Sequence, residues 1–377
     1  MTSQKKFSQE IFLIEIKLKI AIIGGGINGL FTSWELSKIK HFSVDLFESD
    51  KVMSKTSASS SKMLHGGIRY LEKGHISLVR KSLLDRHWWL TNAPEHCKTF
   101  EMVIPVYRNG RRSGIVLYIG ALIYMLLAGK YSLGSTKWIS RNEILNEQEL
   151  QNDNLKSAIS FFDLQMNEEL LGKWVKDNAI LSGVKIFEDT PINSFNINGE
   201  LTMPDGVQKK YDYVINASGP WAAELNKKNN IKTKYDLDLV RGSHLIINTN
   251  VKRYYLMEES DGERIVFIMP YQGKTLIGTT EVKQDLNEEI KCSNEEQDYL
   301  VGIYNKFFIN KISKNDIYKT FSGLRPIVNK KNKKSKISLS SSSREMAISK
   351  KGKLISLYGG KWTSAPSTAR KIVKYIK

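Results

Sequence analysis

A chain of 377 residues with 41% hydrophobic and 10% aromatic content fits a soluble globular protein with room for two domains and a large core. Its two cysteines, Cys97 and Cys292, form no CxxC pair and join no Cys/His cluster, which argues against structural zinc and for a reducing compartment. The net charge of +18 is uneven: residues 325–377 hold fifteen Lys/Arg against Glu345 alone, a net +14, which suits an anionic partner such as a phosphorylated small molecule or an anionic membrane surface. The densest cluster, Lys330-Lys331-Asn332-Lys333-Lys334-Ser335-Lys336, lacks interleaved aromatics and any nucleic-acid motif, which disfavours nucleic acid and leaves a solvated loop as the plain alternative.

Residues 1–18 read as an N-terminal extension, a tail or an added edge strand. The apolar run Ile11-Phe12-Leu13-Ile14 is interrupted by Glu15 and Lys17, and no small-residue cleavage site follows, so it is a poor signal peptide. Lys19-Ile20-Ala21-Ile22-Ile23 predicts a buried parallel strand. It enters Gly24-Gly25-Gly26-Ile27-Asn28-Gly29, a G-x-G-x-x-G, and a helical pattern follows over Leu30 to Ser37. A second strand, Val44-Asp45-Leu46-Phe47, ends in Glu48, 19 residues after Gly29. In this order the parts predict a dinucleotide site. Gly24 allows the tight turn, Gly26 the approach of a pyrophosphate, Gly29 the helix–sheet packing, and Glu48 accepts from ribose hydroxyls. NAD and FAD both remain open at this point.

The next stretch, Thr56 to Glu72, is small, polar and glycine-broken, and then carries His65, Arg69 and Tyr70. A run of Ser with a Lys builds no core, but it offers N–H groups and hydroxyls to an acceptor-rich ligand. One reading is a loop under a redox cofactor with His65 and Arg69 facing a substrate; the other is a solvated Ser-rich loop. A helix is expected from His75 to Leu90, with an apolar stripe at Ile76, Val79, Leu83 and Leu84 and a stop at Pro94. The most hydrophobic run, Ile115 to Gly129, is fifteen residues long, short for a bilayer span. It reads either as a buried helix or as a helix dipping into one leaflet, anchored by Arg111, Arg112 and Lys130.

Asn167 to Ala179 predicts a helix and Gly183 to Phe187 a sheet strand, which resembles the strand where flavoproteins of this layout often touch adenine with a backbone amide, here at Val184. The strand Tyr211 to Asn216 runs into Ala217-Ser218-Gly219-Pro220-Trp221, small residues that belong in the cofactor crevice of an open α/β sheet and favour FAD over NAD. Alternating strands follow Arg241, with Ile265–Tyr271 and Thr275–Glu281 as a hairpin around Gln272-Gly273-Lys274. A helix over Asn294 to Phe308, small-residue turns at Phe321–Pro326 and Leu357–Thr363, and a last helix over Ser367 to Ile376 complete the chain.

These motifs resemble the FAD-dependent, membrane-associated glycerol-3-phosphate dehydrogenases, a branch of the D-amino-acid-oxidase-like flavoproteins. The carriers are Ile23 to Gly29, Ser60 to Glu72 with His-Gly-Gly-Ile-Arg-Tyr-Leu-Glu, Asn216 to Trp221, Gly242-Ser243-His244, Ile277 to Thr280, Ser322 to Pro326 and Gly359-Gly360-Lys361. The resemblance implies an α/β architecture: a discontinuous Rossmann-like FAD-binding domain from 19–92, 150–235 and 320–377, and an α+β substrate or cap domain on an antiparallel sheet from 93–149 and 236–319. It implies oxidation of the secondary alcohol of glycerol 3-phosphate or a related polyol phosphate, with electrons passed to quinone or another acceptor, at the inner face of the cell membrane on the cytoplasmic side.

Carried over residue by residue, Arg325 and Arg344 grip the phosphate, Arg69 and Tyr70 help hold the substrate, Lys361 stabilises the developing carbonyl oxygen, and His65 or His244 is the base. The cofactor side takes Gly24, Gly26, Asn28, Gly29, Glu48, Ser57, Ser61, Lys62, Met63, Leu64, Val184, Ala217, Gly219, Gly360 and Lys361. Two departures stand out. The family commonly carries a further C-terminal helical domain, and it usually reads Leu-Thr-Thr-Tyr-Arg after Gly-Gly-Lys, where this chain has Trp362-Thr363-Ser364-Ala365-Pro366. An amine, amino-acid or 2-hydroxy-acid oxidase of the same superfamily is the alternative enzyme, and a non-catalytic FAD-binding protein with a basic tail is the alternative outside enzymology.

Overall fold

A computed structural model describes residues 17–259, 264–330 and 346–376. Arg344 and the basic run Lys331–Lys336 lie outside these described residues. Two large sheets organise the fold. The first has six strands in the order Ala347–Lys351, Leu354–Tyr358, Tyr213–Asn216, Leu18–Ile23, Phe42–Phe47, Lys185–Phe187. All neighbours in it are parallel except the pair formed by Ala347–Lys351 and Leu354–Tyr358. Leu18–Ile23 lies near the middle and is apolar on both faces, as a strand covered from both sides requires. Helix Ile27–Ser37 packs on one face between helices Glu168–Leu181 and Ala365–Ile376. Leu30, Phe31, Trp34, Val175, Ala369 and Ile372 close that layer against Ile20, Ile22 and Leu46.

The second sheet has ten strands and is mostly antiparallel. Its backbone is two long pairings. Cys97–Tyr107 runs against Leu155–Met166, and Tyr235–Ile247 against Ile317–Lys330. Strand alternation divides its side chains between two layers. Val103, Leu245 and Ile247 point to a layer covered by helix Asn294–Phe307. Met102, Ile104 and Ile246 point to the other, covered by helices Ile76–Asn92 and Gly114–Ala128 through Val79, Leu83, Ala121 and Tyr124. The expected helices and the hairpin Ile265–Tyr271/Lys274–Gly278 form, with ends shifted by a few residues.

Sheet membership departs from the expected domain bounds in three places, the shortest being Met63–Leu64 of the segment 19–92, which pairs with Leu155–Met166 in the antiparallel sheet. Leu155–Met166 and most of Ile317–Lys330 had been placed with the nucleotide domain, yet both pair within the antiparallel sheet. Each is a long strand with a long antiparallel partner, and Leu155–Met166 also pairs with the short strands Met63–Leu64 and Lys137–Ser140, so hydrogen bonding decides where it belongs.

The apolar run forms helix Gly114–Ala128, and Ser113 caps it by accepting from Val116 N–H. It is not a buried helix. Gly114, Ala121, Tyr124 and Ala128 face the protein, whereas Ile115, Val116, Ile119, Ile123 and Leu126 are exposed, Leu126 to 70%. With the turn that follows, to Tyr131, it is the one candidate among the described residues for a helix long and apolar enough to cross a membrane.

Candidate active site

Two adjoining cavities lie where the sheets meet. The first, of about 310 Å³, sits over the carboxyl ends of the parallel strands. Its floor is the glycine turn. Gly24 has φ +105°, and its N–H donates to the Phe47 carbonyl at 2.8 Å. A Cβ on Gly29 would overlap the Gly24 carbonyl oxygen, so the helix can start this close to the strand only with glycine there. Glu48, 8% exposed, accepts from Gly25 N–H at 2.6 Å and from the Ser49 hydroxyl at 2.9 Å. Helix Ile27–Ser37 begins without an acidic residue in its first turn, and no side chain of Gly26 caps it. Among the described residues, Ser57, accepting from Ile27 N–H at 3.0 Å, is the side chain that covers that end, which leaves an N-terminus suited to phosphate. Asn28 Oδ1 is buried beside it without a hydrogen-bond partner among the described residues.

The second cavity, of about 260 Å³, opens against the antiparallel sheet. Thr56, Pro326, Gly360, Lys361 and Trp362 line both cavities and form the seam between them. One wall carries His65, Arg69 and Tyr70, and the opposite wall His244, Thr279 and Arg325. Arg325 lies across Gly242 on the neighbouring strand, where a Cβ would strike its guanidinium. Its Nη2 donates to Thr279 Oγ1 at 2.5 Å, and Glu281 sits 3.6 Å from Nη1. Lys361 donates to Ser82 Oγ at 3.2 Å and lies 5.3 Å from the Tyr70 ring centre. Burial draws the Arg69 pKa down, and the nearby Glu72 carboxylate opposes that. Arg112 bridges Glu72 and Glu258 beside it.

The two histidines differ. His65 is half-buried on the cavity wall. His244 is 2% exposed, stacked on Phe321 with ring centres 4.7 Å apart, and its Nε2 is 2.9 Å from Ser61 Oγ. Its Nδ1 is buried without a partner among the described residues. Burial pushes its pKa well below the usual histidine value, and the Arg325 and Lys62 cations push it further.

A sequence profile of the FAD-dependent oxidoreductase family DAO matches residues 19–374. The chain belongs to this family. An aerobic glycerol-3-phosphate dehydrogenase of Staphylococcus epidermidis is 30% identical over 97% of the chain and 68% of its own length. The glycerol-3-phosphate dehydrogenase of Bacillus halodurans, solved with FAD, superposes with a TM-score of 0.73 at 22% identity, over 96% of this chain and 64% of that one. The L-alpha-glycerophosphate oxidase of Mycoplasma pneumoniae, also solved with FAD, gives 0.73 at 18% identity, over 95% and 94%. The chain spans about two thirds of the length of the curated relatives it matches, for example 66% of that from Bacillus subtilis.

The residues fit the FAD of a DAO-family protein. The helix N-terminus and Asn28 suit the pyrophosphate and Glu48 the ribose, with Gly26, Ser57, Ala217, Gly219, Gly360 and Lys361 around the same cavity. Ser61 and Met63 face the second cavity instead.

Four of the expected cofactor residues line neither cavity; Gly29 is one, packed against the Gly24 carbonyl under the turn. Lys62, at φ +59°, turns its ammonium to Glu168 and to the Ala58 carbonyl, so it props the loop from behind. Leu64 is fully buried in the core. Val184 is also core, and its N–H is spent on the Ala179 carbonyl at the end of the preceding helix. The segment that reaches the cavity comes later, at Pro191, Ile192 and Asn193. A signal for it was present in Thr190-Pro191, a break just past the strand. Asp163, Arg264 and Glu281 in the second cavity carried no sequence signal of their own.

Proposed function

We propose that this protein oxidises the C2 secondary alcohol of glycerol 3-phosphate, or of a closely related polyol phosphate, to the ketone. The observation that carries the reading is the second cavity: a small chamber joined to the FAD cavity and walled by Arg69, Arg264, Arg325 and Lys361 together with His65. With Lys73, five cations line this chamber against the carboxylates of Glu72, Asp163 and Glu281, and that excess answers a dianionic phosphate better than the single carboxylate of an amino acid. When bound, FAD supplies the two-electron acceptor for the C2 hydrogen. Arg325, held by Thr279 and Glu281, grips the phosphate, and Arg69 closes on it from the facing wall. Tyr70 packs against the substrate carbons. Lys361, at the seam, stabilises the oxygen as it becomes a carbonyl.

His65 takes the hydroxyl proton. His244 suits that task poorly, because its Nε2 is engaged by Ser61 and two cations disfavour its protonated form. It serves instead as a neutral wall that orients Ser61. The electrons leave to quinone or another acceptor. The test is anaerobic: glycerol 3-phosphate added to the yellow protein bleaches the flavin, whereas glycerol, glycine and proline do not. Bleaching by the amino acids and not by the phosphate would reverse the assignment.

We also propose that the protein docks on the anionic, cytoplasmic face of a membrane through helix Gly114–Ala128. Five large apolar side chains are exposed on it, and the exposed cations Arg111 and Lys130 flank it. Co-sedimentation with phosphatidylserine vesicles, weakened by salt and by Ile119→Glu with Leu126→Glu, is the expected result. No sedimentation at low salt would remove this part of the reading.

A further inference from the structure

A buried polar unit stands behind His65, and the assignments above leave it without a task. Arg86, on helix Ile76–Asn92, is 1% exposed and donates from Nη1 to Asp163 Oδ1 at 2.8 Å and to the Phe162 carbonyl at 2.9 Å. Its Nη2 donates to the Tyr131 carbonyl at 3.3 Å, just past the end of helix Gly114–Ala128. Tyr124, on that helix, directs its hydroxyl to the Asp163 carboxylate, 2.9 and 3.0 Å from the two oxygens. The same phenolic oxygen accepts from Gly66 N–H at 2.7 Å. The neighbouring His65 N–H donates to Thr363 Oγ1 at 3.1 Å, so two successive amides of the His65–Gly67 wall are fixed from different elements. A Cβ at Gly66 would lie 2.5 Å from the Tyr124 oxygen and 2.6 Å from Leu83, so the approach demands glycine.

The surroundings are apolar: Leu83, Met102, Ala121 and Phe161 pack in the same layer. An ion pair in such a place pays desolvation on both partners, and apolar residues of similar volume are often as stable. Stability alone therefore does not account for the unit. What it supplies is direction. A carboxylate held by Arg86 orients the Tyr124 hydroxyl, and that hydroxyl leaves one lone pair for one amide of the catalytic wall. Asp163 itself borders the substrate cavity, so the chain of contacts ends at the chamber.

Resting on the assignment of His65 as proton acceptor, we propose that Arg86, Asp163 and Tyr124 are positioning residues that fix the His65–Gly67 backbone and thereby aim the His65 imidazole at the substrate hydroxyl. Tyr124→Phe keeps the ring and removes the acceptor. Displacing a catalytic group by about 1 Å costs up to 100-fold in rate, so flavin reduction by glycerol 3-phosphate should slow by roughly 10- to 100-fold per bound flavin. KM should change less than about threefold, because Arg325 grips from the other wall. Asp163→Asn keeps the shape and should slow reduction in the same direction.

The second readout needs no turnover. Hydrogen exchange of the FAD-bound protein without substrate should show the Gly66 amide exchanging at least about tenfold faster in Tyr124→Phe, with strand Cys97–Tyr107 unchanged. Unchanged exchange at Gly66, or faster exchange spread over the whole sheet with turnover per flavin intact, overturns the proposal. If the wild-type flavin is not bleached by glycerol 3-phosphate at all, the functional reading has failed instead, while the exchange result still decides whether Tyr124 holds Gly66.

Discussion

The two cavities are built by different means. The nucleotide cavity is made largely of backbone: a glycine turn, a helix N-terminus and a small-residue turn after a parallel strand, with the Glu48 carboxylate as a side-chain acceptor. The chamber beside it is made of side chains that separate segments bring together, among them His65 and Arg69, Asp163, His244, Arg264, Thr279, Arg325 and Lys361. A backbone site is shared by every member of a fold that binds the same cofactor. A side-chain site is free to change with the substrate. Changes in the chamber should therefore alter chemistry and leave cofactor binding alone, and changes in the turn should do the reverse.

The largest expected effect is Arg325→Ala. Removing one partner of a buried, charge-assisted contact costs roughly 2–5 kcal/mol, so kcat/KM for the phosphorylated substrate should fall by about 30- to several-thousand-fold. The flavin spectrum and FAD content should be unchanged; loss of FAD in this variant would break the division between the cavities. Gly29→Ala makes the opposite test. The added methyl overlaps the Gly24 carbonyl, and overpacking of this kind costs roughly 1–3 kcal/mol. The variant should purify with little FAD and unfold at lower temperature. When it is reconstituted with excess FAD, its KM should return to near the wild-type value.

The same division explains what could be read from the chain. The nucleotide half was legible because its signals are local: Gly24 to Gly29 between a strand and a helix, with Glu48 closing the second strand. Ser57 and the Ala217–Gly219 turn fell in place with it. Val184 misled because a strand that pairs correctly with Phe42–Phe47 need not touch the ligand; its amide was already satisfied by the helix before it. Lys62 misled because a cation in a Ser-rich loop looks like an anion ligand until Glu168, over a hundred residues away, is seen beside it. The Tyr124–Asp163–Arg86 unit was invisible for the same reason. It joins two helices and a strand with no regular spacing between them, and only the pairing of Cys97–Tyr107 with Leu155–Met166 brings Asp163 to the chamber. The exposed face of helix Gly114–Ala128 was hidden by its composition, because a run that is apolar all round does not say which side meets the protein.

A smaller effect separates the two histidines. The folded-state pKa of His244 lies well below the ordinary value near 6.5, because of burial and then of Arg325 and Lys62. The unfolded chain therefore binds a proton that the native state refuses. Stability contributed by this group is complete above about pH 6.5 and is lost as pH falls below it, at a slope approaching about 1.4 kcal/mol per unit. Urea unfolding between pH 8 and 5 should show this slope in the wild type, and His244→Asn should flatten it by about one proton. His65→Asn removes the proposed base and should slow flavin reduction by glycerol 3-phosphate strongly across the pH range. A pH-rate profile that follows His244 rather than His65 would exchange their roles.

The finest test lies at the seam. Trp362 lines both cavities, and its indole N–H donates to the Ser57 carbonyl at 2.9 Å while its ring packs at 6.0 Å from Trp89. Ser57 in turn accepts from Ile27 N–H at the start of the phosphate-facing helix. The indole thus braces the nucleotide side, although it is also part of the substrate chamber's boundary. Trp362→Phe keeps most of the packing and deletes the one hydrogen bond, worth about 1 kcal/mol, so FAD should bind roughly fivefold more weakly with KM for the polyol phosphate nearly unchanged. FAD titration of the apoprotein reads this directly, and tryptophan emission should be quenched less in the variant than in the wild type. If KM moves and FAD affinity does not, Trp362 shapes the substrate instead, and the departure from the family's usual Leu at this position becomes a mark of a different polyol phosphate.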